Sequence, residues 1–402
     1  MFSKETVQII GLGYVGLPTA LLIANCKKFK KVIGCDINKV LINDLNIGIK
    51  PLIEPGLDDL LKKAKKEHSI EFNLVPKQAN IHIIAVPTPT ESFNNKPDIS
   101  LVENVISEIS PLLESGNLIV IESTCPPGTT RHLREFVKSK RPDLNINDKL
   151  SIEFCYCPER VLPGNAISEI KNNQRVLGGL SQSAAERAKH LYSAFINAKI
   201  DISPVAEEAE LSKLVENSYR DVNLAFANEI SMMCIDNGIN PNKVIDFANK
   251  HPRVNILNPG PGVGGHCIAV DPWFLIHWSG NMPLLKKARA VNLGKENWVV
   301  RQILNYCKTK NMKDIIVLGL TYKENVNDFR ESPGLRIMEK LKINTEYSII
   351  GEDPYYPKKI TDDSPSLKEY MNKDSCLIVK LLNHKDYKFI NSDTCKNYVQ
   401  FF

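Results

Sequence analysis

The sequence lacks the long apolar runs and the leader pattern that mark membrane and secreted proteins. No stretch approaches the roughly 18 consecutive apolar residues of a membrane-spanning helix. The first residues lead directly into the short apolar segment Val7–Ile10, without the basic start and long apolar middle of a signal peptide. We therefore expect no membrane span and a cytoplasmic location.

The chain also has no strong net charge of either sign. The 402 residues contain 51 Lys and Arg against 46 Asp and Glu, so the formal net charge is only +5. Short basic groups such as Lys62–Lys63 are typical of a solvated helix face, and no nucleic-acid partner is expected. A mild positive balance does suit an anionic small-molecule substrate.

The ten cysteines show neither disulfide-framework nor metal-site spacing. A chain this long buries a core without cross-links, so we expect reduced thiols. Cys155 and Cys157 hint at a metal site, but no second Cys or His pair stands at ligand spacing. We interpret them as alternate positions of a strand and expect no metal.

The sequence does contain a regular alternation of apolar strands and helical patterns. Near-continuous apolar runs bounded by turns are typical of parallel strands covered on both faces. The predicted strands are Val7–Ile10, Lys31–Cys35, Ile81–Val86, Leu118–Glu122 and Ser151–Cys157, then 315–319, 346–350 and 376–379. Helices between them imply two doubly wound α/β domains.

A long amphipathic helix is predicted between the two series, from Val205 to Asp236. We interpret its apolar side as core. The residues on that side are Leu211, Leu214, Val215, Val222, Phe226 and Met233. Lys213, Asn217 and Arg220 fall on another side, at helical spacing.

The Pro- and Gly-rich segment 239–283 is interpreted as ordered loops around a site, followed by a helix over 284–306. The simplest architecture is two α/β domains joined by the long central helix. The expected domain ranges are 1–200, 201–300 and 301–402.

A glycine-rich turn follows the first predicted strand and opens a helix. Its residues are Gly11, Gly13, Tyr14, Val15 and Gly16, with the glycines at GxGxxG spacing. Such a turn lets a pyrophosphate reach the amides at the helix start. Asp36 ends the next strand, where a carboxylate binds a ribose 2′-hydroxyl and repels a 2′-phosphate. The pattern predicts a Rossmann-like domain with NAD as its cofactor.

Three further turns follow strands of the first domain, at the edge where ligands collect in open α/β sheets. Pro87 and Thr88 follow the Ile81 strand, and Thr124 follows the Leu118 strand. Simple strand-ending turns are the alternative for each, but the repeated position favours a cofactor edge. The last turn carries Glu159, Arg160 and Val161, for which a surface ion pair competes with a functional acid and base.

The glycine-crowded loop 260–274 presents a cysteine. Gly264 precedes Cys267 by three residues, and Asp271 follows it by four. Glycine lets a ligand approach the main chain closely, and a thiol on such a turn can act as a nucleophile. A buried structural cysteine is the alternative for the loop taken alone. A dyad with His266 is not favoured, because adjacent residues on a turn project differently.

Together these features resemble the UDP-glucose/GDP-mannose dehydrogenase family, in order and over nearly the full length. The similarity rests on the N-terminal fingerprint, the Pro-Glu-Arg turn, the Lys213/Asn217 helix and the Gly-Gly-x-Cys-x-x-x-Asp loop. Within the family, four segments are most similar to the branch that oxidises UDP-N-acetyl-D-mannosamine. They are 157–164, 216–223, 251–257 and 270–274.

The resemblance implies a four-electron oxidation of a sugar C6 alcohol to a carboxylate, using two NAD. It implies that Cys267 attacks the C6 aldehyde to give a thiohemiacetal, and then a thioester that water hydrolyses. Lys213 and Asn217 would stabilise the developing oxyanion or an organising water. Asp271 would move protons.

The resemblance also implies that Glu159 and Thr124 position the hydrolytic water. UDP-glucose enzymes of the family carry a second glutamate where this chain has Leu162-Pro163-Gly164. We therefore assign no second glutamate, and the change points to a bulkier 2-acetamido sugar.

The implied binding roles extend to the later domains. The UDP-sugar residues would be Glu159, Arg160, Val161, Lys213, Asn217, Arg220, Arg253, Gly264 and Lys323. Arg330 would reach the NAD pyrophosphate, and Arg253 would cross to the neighbouring subunit's substrate. The helix around Lys213 would supply the core of a homodimer. Ser332 and Pro333 are predicted as the N-cap and first turn of a helix.

The favoured function is oxidation of UDP-N-acetyl-D-mannosamine to its uronate, for a surface polysaccharide such as a capsule. The first alternative is the same reaction on UDP-N-acetylglucosamine or UDP-N-acetylgalactosamine. A non-catalytic nucleotide-sugar-binding protein is a more distant alternative.

Overall fold

In a computed structural model of the protein, the N-terminal part of the chain is built around an eight-stranded sheet. The structure describes residues 4–49, 54–91, 93–146, 149–161, 164–344, 346–355 and 367–401. Its contacts divide the chain into two units, Met1–Val215 with Trp273–Trp278, and Glu216–Pro272 with Ser279–Phe402. Leu162 and Pro163, which bear on the missing second glutamate, lie outside the described residues.

The strands of the first unit are β1 (Thr6–Ile10), β2 (Lys31–Cys35), β3 (Ile70–Asn73), β4 (Ile81–Ile84), β5 (Leu118–Ile121), β6 (Asn145–Ile146), β7 (Lys149–Leu150), β8 (Glu153–Tyr156), β9 (Arg175–Gly179) and β10 (Ile200–Ser203). The main sheet has the order β10-β9-β8-β5-β4-β1-β2-β3. Its described pairings are parallel except that of β8 with β9. Strands β6 and β7 form a separate antiparallel pair.

Helices cover both faces of this sheet. They are α1 (Gly16–Asn25), α2 (Lys39–Ile47), α3 (Leu57–Lys66), α4 (Ser100–Ile109), α5 (Thr129–Lys140), α6 (Ala166–Asn172) and α7 (Gln182–Tyr192). Successive residues of a strand point to opposite faces. Ile9 accordingly belongs to one buried apolar cluster and Ile10 to the other. The predicted doubly wound architecture is confirmed.

The long helix α8 (Ala206–Asp236) is confirmed, but its buried side is not the predicted one. Leu214 is buried, whereas Val215, Phe226 and Met233 are 54%, 49% and 51% exposed. The buried side instead carries polar residues, namely Glu210, Lys213, Asn217, Asp221 and Asn228. Interpreting the apolar side as core was therefore wrong for much of the helix.

The second unit contains its own four-stranded parallel sheet. Its strands are β11 (Asp314–Leu318), β12 (Ser348–Glu352), β13 (Cys376–Lys380) and β14 (Tyr398–Gln400), in the order β12-β11-β13-β14. The remaining helices are α9 (Pro241–Ala248), α10 (Asp271–Ser279), α11 (Pro283–Lys310), α12 (Pro333–Asn344) and α13 (Leu367–Asn372). The predicted cap of α12 is confirmed, since Ser332 Oγ accepts from Gly334 N at 3.1 Å. None of the described helices is long and apolar enough to cross a bilayer.

The segment 239–283 is more helical than predicted. Helix α9 begins at Asn240-Pro241, where Asn240 Oδ1 accepts from Lys243 N at 3.2 Å. Asparagine at the cap followed by proline at the first helical position is a start signal that the high Pro and Gly content of the segment obscured. Helix α10 starts at Asp271, whose carboxylate suits the positive end of the helix dipole.

Candidate functional site

The turn after β1 leaves no room for a side chain at two of its glycines. Gly11 has a φ of +92°, and a Cβ there would lie 2.5 Å from the Ala85 carbonyl oxygen. A Cβ on Gly16 would lie 1.8 Å from the Gly11 oxygen, so both positions require glycine. Gly13 is exposed and faces open space. Helix α1 starts here with no side-chain cap from Val15, and Leu17 N donates to the Gly13 carbonyl at 3.2 Å. The positive end of the helix dipole favours an anionic ligand at this turn.

Asp36 is held against this turn. Its Oδ2 accepts from Leu12 N at 2.8 Å, and its Oδ1 accepts from Asn38 N at 2.9 Å. Its carboxylate is therefore oriented beside the glycines, as a ribose-binding group must be. Tyr14 is half-buried in the same turn. The chemistry and shape of this turn fit NAD.

The turns after β4 and β5 lie together at this edge of the sheet. Ser123 Oγ donates to the Val86 carbonyl at 2.7 Å, which joins the turn carrying Pro87 and Thr88 to the turn carrying Thr124. The strand ends predicted to collect a ligand are thus adjacent.

Glu210, which the sequence reasoning missed, anchors the Thr124 turn to α8. Its Oε2 accepts from Gly128 N at 2.6 Å, and its Oε1 accepts from Thr130 N at 2.8 Å and Thr130 Oγ1 at 2.7 Å. These bonds cap the start of α5 with a charge of the favourable sign. Burial raises the pKa of Glu210. The sequence feature that could have identified Glu210 is its position three residues before Lys213 on the same predicted helix.

Glu159 is buried and interacts electrostatically with a second polar group that was also missed. In this group, Arg175 Nη1 lies 3.9 Å from Glu122 Oε1 and donates to Cys157 Sγ at 3.6 Å. Tyr192 donates its hydroxyl to Glu122 Oε1 at 2.6 Å. Burial raises the pKa of Glu122, against the lowering effect of Arg175 and Tyr192. Cys157 thus has a role in this group, as a buried residue just past β8.

The three candidate residues at the Pro-Glu-Arg turn, Glu159, Arg160 and Val161, differ in their surroundings. Glu159 Oε1 is buried with no hydrogen-bond partner among the described residues. Arg160 Nη1 donates to the Gln174 carbonyl at 3.0 Å, and Val161 is half-buried. Glu54 holds the far side of the turn, since its Oε2 accepts from Gly164 N at 2.8 Å.

In the second unit, the cysteine loop is closely packed along its backbone. A Cβ on Gly264 would lie 2.3 Å from the Glu331 carbonyl oxygen. Gly265 has a φ of +80°, and a Cβ there would lie 2.9 Å from the Tyr322 ring. Cys267 follows as a half-buried thiol. The glycines therefore allow backbone contact that no other residue permits.

Helix α8 contacts the end of this loop through Asn217. Its Nδ2 donates to Asp271 Oδ2 at 2.6 Å, and both residues are buried. Asp271 N donates in turn to the Cys267 carbonyl at 2.8 Å. Lys213 is buried one turn earlier on the same helix, at 8% exposure. Asn217, Asp271 and Cys267 are thus brought together by two hydrogen bonds.

Among the predicted arginines, Arg330 is joined to the cysteine loop, since its carbonyl accepts from Gly265 N at 3.3 Å. Arg220 and Arg253 are exposed on the single chain. Arg330 pairs with Asp328, its Nη2 lying 2.6 Å from Oδ2. Burial opposes ionisation of Asp328, but the bonds from Arg330 hold its pKa below the usual range.

The turn after β11 repeats the geometry of the turn after β1. Gly319 has a φ of +91° and donates its N–H to Glu352 at 3.0 Å, as Gly11 does to Cys35 at 2.9 Å. Asp353 ends the second strand of this sheet, and its Oδ2 accepts from Leu320 N at 2.7 Å. In each of the two sheets, the turn after the first strand therefore carries a glycine with positive φ and is held by hydrogen bonds to an aspartate.

The second aspartate also contacts a buried histidine. His384 Nε2 lies 3.1 Å from Asp353 Oδ2, and both side chains are fully buried. His384 Nδ1 accepts from Asn325 N at 3.0 Å, and Thr321 Oγ1 lies 3.1 Å from Nε2. Lys323 stands within the loop that these contacts hold. Sequence reasoning missed His384 because it follows a different strand from the turn that it braces.

The chain matches the three parts of one protein family in order. Residues 5–196 match the NAD binding domain of the UDP-glucose/GDP-mannose dehydrogenase family. Residues 207–293 match its central domain, and residues 316–400 match its UDP binding domain.

Individual relatives extend over the same length. The UDP-N-acetyl-D-mannosamine dehydrogenase of Campylobacter jejuni is 40% identical over 403 residues, 98% of each chain. The NDP-N-acetyl-D-galactosaminuronic acid dehydrogenase of Ralstonia nicotianae is 37% identical over 98% of this chain and 94% of its own. The solved UDP-D-ManNAc dehydrogenase from Pyrococcus horikoshii has a TM-score of 0.89 at 32% identity, over 98% of this chain and 93% of that one.

Proposed function

Since the chain belongs to the UDP-glucose/GDP-mannose dehydrogenase family, and is therefore an NAD-dependent nucleotide-sugar dehydrogenase, we propose that it oxidises UDP-N-acetyl-D-mannosamine at C6. The product is UDP-N-acetyl-D-mannosaminuronate, for a surface polysaccharide such as a capsule. The name of the Campylobacter jejuni relative supports this sugar. The name of the Ralstonia nicotianae relative favours the galacto sugar as the second candidate.

The observation that carries the proposal is the Asn217–Asp271 contact beside Cys267. We assign Cys267 as the nucleophile that adds to the C6 aldehyde left by the first oxidation. The thiol sulfur bonds to C6 and gives a thiohemiacetal, so the aldehyde is not released. The second oxidation leaves a thioester, which water cleaves to the carboxylate and the free thiol. NAD, when bound, accepts one hydride in each oxidation.

The residues around Cys267 supply charge and proton transfer in this proposal. Lys213 is a buried cation, and a cation stabilises an oxyanion most strongly where water is excluded. Asn217 donates to Asp271 and thereby orients its carboxylate. Asp271 then takes and returns protons at the substrate oxygen.

Hydrolysis of the thioester is assigned to Glu159 and Thr124. The Oε1 of Glu159 supports this role, because it is buried with no hydrogen-bond partner in the described part of the chain and can accept from a water.

We assign the binding roles as follows. NAD is held by Gly11, Gly13, Tyr14, Val15, Gly16, Asp36, Pro87, Thr88, Thr124 and Arg330. The UDP-sugar is held by Glu159, Arg160, Val161, Lys213, Asn217, Arg220, Arg253, Gly264 and Lys323. Residues 1–200 form the NAD-binding domain, 201–300 the dimerisation region with the cysteine loop, and 301–402 the UDP-sugar domain.

We also propose a homodimer formed through α8. The exposed Tyr219, Phe226 and Met233 support this, because apolar side chains on a solvent-facing helix side are typical of a protein interface. The exposed Arg253 is then available to the partner's substrate. Light scattering of Phe226→Glu tests it, and an unchanged dimer would exclude this helix side as the interface.

The substrate is tested by following NADH with each UDP-sugar. UDP-N-acetyl-D-mannosamine is expected to show the highest kcat/KM and two NADH per sugar. Higher efficiency with UDP-N-acetylgalactosamine or UDP-N-acetylglucosamine would replace our substrate with that sugar. No turnover with any of them, despite tight binding, would favour the non-catalytic alternative. Cys267→Ser is expected to lose uronate formation, and unchanged four-electron turnover would refute the thioester.

A further inference from the structure

A chain of buried hydrogen bonds leads from two helices to the start of the cysteine loop. Gly260 N donates to Asn228 Oδ1 at 2.9 Å, and Asn228 Nδ2 donates to Asn292 Oδ1 at 2.9 Å. Asn292 Nδ2 donates to Asp221 Oδ1 at 2.8 Å, which also accepts from Arg289 Nη1 at 2.6 Å. These four side chains are almost entirely buried.

The chemistry of its two ends orients every amide in this chain. A backbone N–H can only donate, so the Asn228 side chain must present its oxygen to Gly260. A carboxylate accepts, so the Asn292 side chain must present its nitrogen to Asp221. The Asn228 nitrogen and the Asn292 oxygen then face each other as hydrogen-bond donor and acceptor. A flip of either amide would place like groups together at two contacts, so the arrangement is unique.

The loop 260–271 is thereby attached to α8 at both ends. Gly260 bonds to Asn228 at the start, and Asp271 bonds to Asn217 at the end. Asn217 and Asn228 are 11 residues apart, which is about three helical turns, so they project from the same side of α8. One rigid helix therefore sets the separation of the two ends of the loop.

Cys267 lies between these two attachments. The middle of the loop packs against the 322–333 segment through Gly264 and Gly265. Release of the first attachment would free the backbone around Gly260, while leaving in place the Asn217–Asp271 bond and the bond from Gly265 N to the Arg330 carbonyl at 3.3 Å. Loss of a single buried partner also leaves the other groups of the chain unsatisfied, so the effect passes beyond the mutated residue.

We propose that Asn228 and Asn292 are positioning residues for Cys267, which they orient by fixing the start of its loop on α8. The proposal rests on the proposed function, because it takes Cys267 as the nucleophile. A misplaced nucleophile captures the aldehyde less often, and misplacement by about 1 Å can cost on the order of a hundredfold in rate. The ratio of NADH to sugar consumed is therefore the diagnostic measurement.

The test compares Asn228→Ala and Asn292→Ala with Asn237→Ala as the matched control. Asn237 is exposed after the end of α8, and its Nδ2 donates only locally, to the Met233 carbonyl at 2.8 Å. We expect kcat to fall about tenfold or more in the first two variants, with both KM values within roughly threefold. NADH per sugar should fall from two toward one, with free aldehyde trapped by a hydrazine. The control should match the unmodified enzyme.

Two further measurements separate positioning from a loss of folding. Gly260→Pro removes the N–H that bonds Asn228 and leaves the buried side chains intact. Gly260→Ala keeps the N–H, and its Cβ would make an ordinary contact with the Gly262 carbonyl oxygen at 3.5 Å. We expect Gly260→Pro, but not Gly260→Ala, to release aldehyde. Iodoacetamide labelling of Cys267, read by peptide mass, should become several-fold faster when the loop start is freed.

The outcomes distinguish this inference from the proposed function. Two NADH per sugar and unchanged Cys267 labelling in Asn228→Ala and Gly260→Pro would overturn the positioning role. If Cys267→Ser stops at the aldehyde in the same assay, the thioester mechanism stands even then. If Cys267→Ser still makes uronate at the full rate, the proposed function fails first.

Discussion

Replacing Glu210 with alanine should destabilise the first unit and weaken cofactor binding. The carboxylate accepts three hydrogen bonds at the start of α5, from Gly128 N, Thr130 N and Thr130 Oγ1. A hydrogen bond to a charged group contributes about 1.5–3 kcal/mol. The sum is reduced because burial disfavours the ionised carboxylate and because the Thr130 hydroxyl can rotate to another acceptor. We expect a net loss of roughly 3 kcal/mol.

That loss converts to a measurable shift in melting temperature. In a unit of about 200 residues, 1 kcal/mol corresponds to about 2–4 °C, so Glu210→Ala should melt about 6–12 °C lower. Glu207→Ala is the matched control, because Glu207 also joins α8 to α5 through a bond from Arg131 Nε at 3.0 Å. That pair is at the surface, where such pairs contribute about 0–1 kcal/mol.

Thermal scans at one fixed rate compare the two variants directly. Assays at a temperature where both are folded should also show a higher KM for NAD in Glu210→Ala, because the cap anchors the turn that carries Thr124. Equal shifts in melting temperature for Glu207→Ala and Glu210→Ala would refute the argument that burial and the three bonds make this cap strong.

Three further predictions concern Lys295, His384 and Asp36. Burial lowers the pKa of Lys295 to about 7, against the opposing effect of Asp236. The unfolded lysine titrates near 10.4, so the unfolded state binds more protons between these values and stability rises with pH there, by about 2 kcal/mol from pH 7 to pH 9. Urea unfolding at both pH values should lose this slope in Lys295→Met, and a persisting slope would contradict the assignment. His384→Ala should raise KM for the UDP-sugar about tenfold without changing KM for NAD, since it releases the loop carrying Lys323. His384→Asn, whose Oδ1 can accept from Asn325 N, should recover part of the loss, and equal effects on both KM values would argue for general unfolding. Asp36→Asn should raise KM for NAD and narrow the preference over NADP, because the charge that repels a 2′-phosphate is removed. An unchanged ratio of kcat/KM for the two cofactors would exclude that role for Asp36.

The strands and the glycine turns were predictable because their signals are local. A run such as Leu118–Ile121 is apolar on both faces because both faces of its sheet are covered. Gly11 and Gly16 are recognisable because their spacing matches the step from strand to helix. Strands that are not continuous apolar runs, such as β3 and β14, carry weak patterns and were missed.

The sides of α8 were not predictable from the helix alone. Periodicity shows that Phe226 and Met233 share a side with Val215, but not whether that side meets the core or solvent. The structure buries Asn217 and Asn228 because hydrogen-bond partners from the loop and from α11 satisfy them. A polar side can face inward only when such partners exist, and they come from residues distant in sequence.

By itself the sequence determined the two α/β folds, the family and the NAD fingerprint, since each depends on residues close together in the chain. It also singled out Cys267, Asn217 and Asp271 as candidates for the same chemistry. Only the tertiary structure decided which groups hold the segments of the candidate sites in place. Asn228 holds the start of the cysteine loop, Glu210 holds the start of α5, and His384 contacts Asp353. Those contacts join positions tens of residues apart, so they exist only after the backbone has folded.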